Sequence, residues 1–314
     1  MPYTPMMQQY FEIKEQYKDH LLFYRLGDFY EMFFDDAKCA SKELDLTLTG
    51  RDCGMPERAP MCGVPFHSAD SYIAKLVAKG YKIAICEQTE DPALAKGLVK
   101  REVIRVITPG TVTESGMLSE GKNNYLCAVC ISGASAGLAF ADISTAQVYA
   151  TQITDDESRQ KLLNELAVYA PKEMLVNADR TECPELLNFA KDRLGAFFDD
   201  TQPELFDTES FDKVVKQFGE EVFEKNLLYK GSPVTVALGA LLEYLRQTQK
   251  MDLEYIDKLE YYTNELFLGI DVNTRRSLEL CETMRSKEKK GTLLWVLDKT
   301  KTAMGARLLR KWVE

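Results

Sequence analysis

Between residues 125 and 176 the chain lays down three strand-like runs in succession, at 125–131, 136–143 and 146–151, with only short connections between them. A helical pattern over 156–169 follows, and then a fourth short strand at 173–176. Strand-strand-strand-helix-strand is a restrictive order, because consecutive elements with short connections pack as neighbours. A strongly apolar helix over 233–249 closes this unit.

That order is the order of an RNase H-like half-sheet. Ahead of it, residues 1–113 read as one mixed α/β unit. Thr4-Pro5 opens a helix, with Thr4 at the N-cap and Pro5 at the first helical position. Met6, Tyr10, Ile13 and Tyr17 recur at helical spacing. Strands are expected at 21–25, 29–33, 46–49, 82–86 and 103–108. A helix over 35–44 begins with two aspartates near its positive end, and one capped by Ser68 ends at Gly80. The Gly- and Pro-rich stretch 50–65 reads as a loop. Residues 114–124 are a polar linker, and 125–258 form the second domain. From 259 to 314 the pattern turns helical, over 271–284 and 292–313, with no Gly or Pro after the last helix to end it. The expected class is mixed α/β and multidomain, with the last segment the start of an all-α domain that the sequence reads as cut.

The 314 residues contain no run of 18 apolar residues and no basic-then-apolar leader. Neither a membrane span nor a signal peptide is expected. Eight cysteines scattered through apolar or mixed segments fit reduced thiols in a cytoplasmic protein. The net charge of −10 is unevenly spread: −3 over residues 1–115, −10 over 116–258 and +3 over 259–314. Since binding follows local potential, a nucleic-acid surface on either flank stays open.

The segment from Gly27 to Asp36 carries the sharpest chemistry. On a strand, Phe29 and Glu31 project from one face and Tyr30 from the other. A ring and a carboxylate side by side can wedge between bases and hydrogen-bond a base edge. Aromatic residues in a strand also serve as ordinary core.

Four further patterns carry candidate chemistry. Gly116-x-x-x-x-Gly121-Lys122 nearly spells a P-loop, but Asn123 replaces the Mg²⁺-binding hydroxyl and a strand follows where a helix is needed. Cys127-Ala-Val-Cys130 has no second pair, and i and i+3 on a strand face opposite sides, so both read as buried thiols. Asp142 sits where an RNase H-like nuclease carries its first metal carboxylate, with Glu165 and Glu173 as conceivable partners. Arg51, Arg58, Lys96, Lys100, Arg101 and Arg105 form a basic set that can serve as a solvated face or contact a phosphate backbone.

Thr4-Pro-Met-Met-Gln-Gln-Tyr10, Phe23-Tyr-Arg-Leu-Gly-Asp-Phe-Tyr-Glu-Met-Phe33, Met61-Cys-Gly-Val-Pro-Phe-His67, Cys86-Glu-Gln88 and Thr108-Pro-Gly-Thr111 resemble, in order, the mismatch-binding domain of the bacterial MutS family of DNA mismatch-repair proteins. Asp271-Val-Asn-Thr-Arg-Arg-Ser-Leu-Glu279 and Met304-Gly-Ala-Arg-Leu-Leu-Arg-Lys-Trp312 resemble the start of that family's core domain. The resemblance puts the family's Phe-x-Glu motif on Phe29 and Glu31. It implies that Phe29 enters the minor groove and stacks on a mispaired or unpaired base of a kinked duplex, while Glu31 hydrogen-bonds that base. A carboxylate near phosphates is disfavoured, so it would bind partly protonated or through a strong base donor. The ligand would be double-stranded DNA with mispairs or small insertion/deletion loops. Residues 116–258 resemble the connector domain, which implies docking of MutL. The family's ATP and Mg²⁺ site and most of its homodimer interface lie in a C-terminal domain not found here. The fragment is therefore expected to be a binding module without catalytic or metal-binding residues. The alternative is a metal-dependent RNase H-like nuclease built on Asp142. A divergent relative without a mismatch role fits less well, since such proteins commonly lack the Phe-x-Glu pair.

Overall fold

The computed structural model describes residues 3–90, 97–114, 116–119, 121–154, 158–178, 181–199, 202–226, 228–263 and 270–314. The chain divides into two compact units, residues 1–109 with 246–252, and residues 110–245 with 253–314.

The first unit contains, in chain order, α1 (Pro5–Gln16), β1 (Leu21–Leu26), β2 (Phe29–Phe33), α2 (Phe34–Leu44), β3 (Thr49–Arg51), β4 (Ala59–Pro65), α3 (Ala69–Val77), β5 (Ile83–Gln88) and β6 (Arg101–Ile107). The strands form one sheet in the order β3-β4-β2-β1-β5-β6. β1 and β5 are parallel, and every other neighbouring pair is antiparallel. A two-residue turn, Gly27-Asp28, joins β1 to β2, with Leu26 opposite Phe29. Such turns require φ > 0 at their first central position, and Gly27 has φ +57°.

One face of this sheet is covered by α1, whose Met7 and Tyr10 pack with Leu22, Tyr24, Phe33, Ala84 and Cys86. The opposite face carries α2, where the Cys62 thiol reaches the Ala37 carbonyl beside buried Met32. Asp36 is buried at the start of α2. It accepts from the Leu22 amide at 3.0 Å and from Lys14 Nζ at 2.9 Å.

Several expectations for this unit change: α3 ends at Val77 rather than Gly80, and Thr4 holds the N-cap position of α1 without a side-chain cap bond. The strand expected at 46–49 becomes β3 at Thr49–Arg51, because Leu46 serves the end of α2. Its amide donates to the Ser41 carbonyl, its own carbonyl accepts from Ser41 Oγ, and Asp45 turns the chain at φ +55°. The loop expected at 50–65 contains β4, in which Ala59, Cys62 and Val64 are buried. Pro60 and Pro65 hid it, since proline cannot donate to a ladder and argues against an inner strand. Ser68 holds the N-cap position of α3, but its hydroxyl donates back to the Pro65 carbonyl at 3.2 Å.

The second unit begins with β7 (Leu126–Ser132), β8 (Ser135–Asp142) and β9 (Gln147–Ile153), then α4 (Ser158–Tyr169) and β10 (Glu173–Val176). It continues with α5 (Pro184–Asn188), β11 (Phe197–Asp199), α6 (Phe211–Phe218), α7 (Glu220–Lys225), α8 (Pro233–Gln249) and β12 (Lys258–Tyr261). The sheet order is β11-β10-β7-β8-β9-β12. β7, β8 and β9 are antiparallel, while β10, β11 and β12 add in parallel to their neighbours. The four strands β10-β7-β8-β9 carry the expected RNase H-like half-sheet, and β11 and β12 extend it at its two edges. The α8 side chains Val234, Ala237, Leu238 and Leu241 cover one face, and Leu162, Leu166, Leu186 and Ala190 the other. Close approach of α8 depends on Gly137, where a Cβ would lie 2.1 Å from the Pro233 carbonyl carbon.

The expected boundary at 258 falls inside β12, so the sheet runs on to Tyr261. The helix expected over 271–284 is reduced to α9 (Val272–Ser277), capped by Asp271 and followed by Glu279 at φ +46°. The helix expected over 292–313 is two, α10 (Leu293–Leu297) and α11 (Ala303–Val313). Asp298 Oδ1 accepts from the Thr300 amide and hydroxyl between them, and Thr302 Oγ1 caps α11 through the Gly305 amide. Asp156, the expected start of α4, lies outside the described residues. Among the described residues no helix is long and apolar enough to cross a membrane.

Candidate nucleic-acid interface

Strand β2 alternates as its sequence requires: Phe29 and Glu31 project from one face, Tyr30 and Met32 from the other. Phe33 shares the face of Phe29 and Glu31 but is fully buried, packed with α1 residues. Phe29, at the turn end of the strand, is 46% exposed. One face of β2 thus passes from sealed core to an open aromatic ring within five residues.

The reverse face is tied down. Tyr30 is 8% exposed and donates its hydroxyl to Glu87 Oε1 on β5. Burial, reinforced by that carboxylate, pushes the Tyr30 phenol well above its usual range. Arg25 Nη1 meets the same Glu87 oxygen at 3.2 Å. The Arg25 guanidinium also lies 3.7 Å over the Phe66 ring centre, a cation–π stack. Phe66 is itself 42% exposed, and its amide donates to the Asp28 carbonyl of the turn at 2.9 Å. Two exposed rings, Phe29 and Phe66, therefore flank one short hairpin. Phe66, Arg25 and Glu87 lie within the motifs quoted above, yet nothing in their local spacing marked them as a group.

Glu31 does not stand alone. Arg51 Nη1, on β3, donates to Glu31 Oε2. β4 runs between the two strands, with Glu31 opposite Gly63 and Arg51 opposite Ala59. A Cβ at position 63 would lie 3.1 Å from the Tyr30 carbonyl and 3.4 Å from Glu31 Cγ, so glycine leaves room for the Glu31 side chain.

The rest of the basic set separates. Arg58 is exposed, with its stem over Gly50. Lys100 is exposed and pairs with Glu102 at 2.7 Å, which pushes its ammonium up. Arg105 is partly buried. Lys96 lies outside the described residues. Arg101 departs from the expected backbone role. It is 7% exposed, stacks on the Tyr24 ring and donates to the Arg25 and Val99 carbonyls and to Gln9 Oε1. Gln9 also accepts from the Tyr24 hydroxyl at 2.6 Å. Arg101 therefore braces the inside of the first unit.

The second unit's chemical candidates are taken up structurally. Asp142 is fully buried and accepts from Asn123 Nδ2 and the Asn124 amide, and from the amide and hydroxyl of Ser144. Glu165 accepts from the Tyr262 hydroxyl at 2.6 Å. Glu173 accepts from the Gly110 amide at 2.8 Å and the Tyr244 hydroxyl at 2.6 Å. Among the described residues no cluster of three acidic, imidazole or thiol side chains could hold a metal ion. Lys122 pairs with Glu282, and β7 rather than a helix follows it. These residues do not fit a nucleotide's phosphates. Cys127 and Cys130 lie in the clusters on opposite faces of the sheet, and burial raises both thiols, that of Cys130 to about 11.

Three family models match in consecutive order: MutS domain I over residues 4–116, MutS domain II over 124–257 and MutS domain III over 273–314. The chain belongs to the MutS family. It is 55% identical over 312 residues to the DNA mismatch repair protein MutS of Ruminiclostridium cellulolyticum, covering 99% of this chain and 35% of that protein. Over 314 residues it is 55% identical to the protein of the same name from Acetivibrio thermocellus, covering 99% of this chain and 36% of that one. The Alkaliphilus oremlandii protein is 47% identical over 317 residues, with 99% and 36% covered. The chain thus spans little more than a third of these relatives' length. Within the family's first domain lie the exposed Phe29, its neighbour Glu31 and the stacked Arg25–Phe66 pair.

Proposed function

We propose that this chain recognises mispaired or unpaired bases in duplex DNA, with Phe29 as the wedge and Glu31 as the base-reading group. The observation that carries the reading is the position of Phe29, exposed on the same face as Glu31 while the reverse face of its strand is anchored by Tyr30 and Met32. A wedge must be both accessible and backed by rigid structure. Inserting a ring into the minor groove costs a few kcal/mol per unstacked step, offset by contacts that the bent duplex allows. A mispair is already weakly stacked, so deformation is least costly there and deformability becomes the signal. Arg58 and Lys100 are suited to hold the backbone without reading sequence.

On this reading the chain is a binding module rather than an enzyme. The ATP and Mg²⁺ chemistry and homodimer formation that the resemblance implies would belong to the family's C-terminal domain, outside the third of the relatives' length that these residues match. The acidic stretch 116–258, net −10, suits a protein partner such as MutL better than it suits DNA.

Equilibrium binding of the chain to otherwise identical G·T and G·C duplexes, at low ionic strength, tests the proposal. The G·T duplex should bind more tightly, and Phe29→Ala should remove that preference while leaving weak binding to both. Equal loss on both duplexes would contradict a wedge.

A further inference from the structure

A bare carboxylate beside Phe29 would be repelled by the phosphates of any duplex brought against it. Arg51 removes that difficulty, in an inference that rests on the mismatch reading above. Its Nη1 holds Glu31 by Oε2, while Oε1 has no hydrogen-bond partner among the described residues. A guanidinium has five N–H donors in a planar fork. Among the described residues only the Nη1 contact is formed, and the Arg51 side chain is 37% exposed against 14% for Glu31. The bridge spans β4, from Glu31 opposite Gly63 to Arg51 opposite Ala59.

We propose that Arg51 is a positioning residue for mismatch discrimination, gripping a backbone phosphate with its remaining N–H groups while Nη1 fixes the Glu31 carboxylate so that Oε1 accepts from the base stacked on Phe29. A phosphate contact alone is blind to sequence. Here the same guanidinium links that grip to the group that reads the base. Its charge also balances Glu31, so the carboxylate meets the duplex as half of a neutral pair. An acceptor held in this way favours a base that turns an imino or amino N–H toward the strand over one that turns a ring-nitrogen acceptor.

The test measures fluorescence anisotropy of G·T and G·C duplexes with the chain and its R51M, R51K, E31Q, R51M/E31Q and F29A variants, each first shown to unfold at the wild-type midpoint. R51M should lower the preference for G·T about tenfold, the equivalent of one charge-assisted hydrogen bond. It should also reduce the salt slope on both duplexes by about one. R51K, which keeps the charge but not the fork, should recover part of the preference. In the E31Q background, R51M should leave the preference where E31Q alone puts it. If R51M instead weakens both duplexes equally and keeps the wild-type preference, Arg51 is a plain backbone contact and the inference falls, while the Phe29 result stands. If the wild-type chain and F29A alike show no preference, the mismatch reading fails first and this inference fails with it.

Discussion

Tyr30 on β2 donates its hydroxyl to Glu87 on β5, two strands away in the sheet, and Arg25 from the strand between them meets the same carboxylate oxygen. The ring exposed on the front of β2 is thus backed by a hydrogen-bonded link across three strands. Tyr30→Phe removes one hydrogen bond and leaves Glu87 its Arg25 partner, so it should destabilise the protein by about 1 kcal/mol. Glu87→Ala leaves both Tyr30 and Arg25 without that acceptor and should destabilise by roughly 2–3 kcal/mol. Urea unfolding of both variants checks the order. A larger loss from Tyr30→Phe would place the anchor elsewhere.

Arg101 and Lys100 are adjacent in sequence and opposite in role. Replacing Arg101 by Met leaves the Arg25 carbonyl, the Val99 carbonyl and Gln9 without their guanidinium donor. That should destabilise by roughly 1–3 kcal/mol, because part-buried acceptors lose a charged donor, although Gln9 Oε1 keeps the Tyr24 hydroxyl and the Val99 carbonyl keeps Gln9 Nε2. Lys100→Ala should leave stability almost unchanged, since exposed ion pairs contribute little, but should weaken binding to all duplexes alike. Thermal unfolding paired with duplex binding separates them. Arg101→Met with an unchanged midpoint would return that residue to the DNA-facing set.

Asp36 gives the first unit an unusual pH dependence. Burial, the largest influence, raises its carboxyl above the ordinary 3.8, against the opposing pull of the Leu22 amide and Lys14. The folded state therefore holds the proton more tightly than the unfolded chain. Between 3.8 and the raised folded value, the native state carries more protons, so this group's contribution to stability falls as pH rises through that window. In Asp36→Asn that part of the slope should vanish. Urea midpoints for both proteins, measured from pH 3.8 to neutrality, decide the sign. The idea fails if the wild type gains stability over the Asn variant as pH rises.

The local parts of this structure were legible in the sequence, and the parts that depend on distant residues were not. Two short strands broken at Gly27-Asp28 are legible because a breaker and period-two patterning are written in adjacent residues. The strands at 125–176 were readable for the same reason. β4 was not, because Pro60, Gly63 and Pro65 carry the composition of a loop. Losing β4 also hid the Glu31–Arg51 pair, whose two strands come into register only through it. Arg101 looked like part of a basic surface because Gln9 and Tyr24, which enclose it, lie more than seventy residues away. The helix expected over 292–313 breaks at side-chain hydrogen bonds of Asp298 and Thr302, and the one expected over 271–284 stops short of Glu279, whose φ is +46°.

Gly137 offers the sharpest test of how the second unit is assembled. It lies on β8 with α8 pressed against it, and a Cβ there would sit 2.1 Å from the Pro233 carbonyl carbon and 2.2 Å from the Val234 amide nitrogen. Both clashes are with backbone, which no rotamer change relieves. Gly137→Ala must therefore push the start of α8 off the sheet, loosening Val234, Ala237 and Leu238 in the core. Overpacking of this kind costs about 1–3 kcal/mol when neighbours can shift, and a rigid helix end against a central strand should reach the upper part of that range or exceed it. Gly133→Ala is a weak control for space but a good one for conformation. Nothing lies within 4 Å of a Cβ there, yet φ is +60°, so its loss should stay near 1 kcal/mol. Chemical denaturation of the two variants should show Gly137→Ala as clearly the more damaging. Equal losses would mean that α8 does not approach β8 as closely as described.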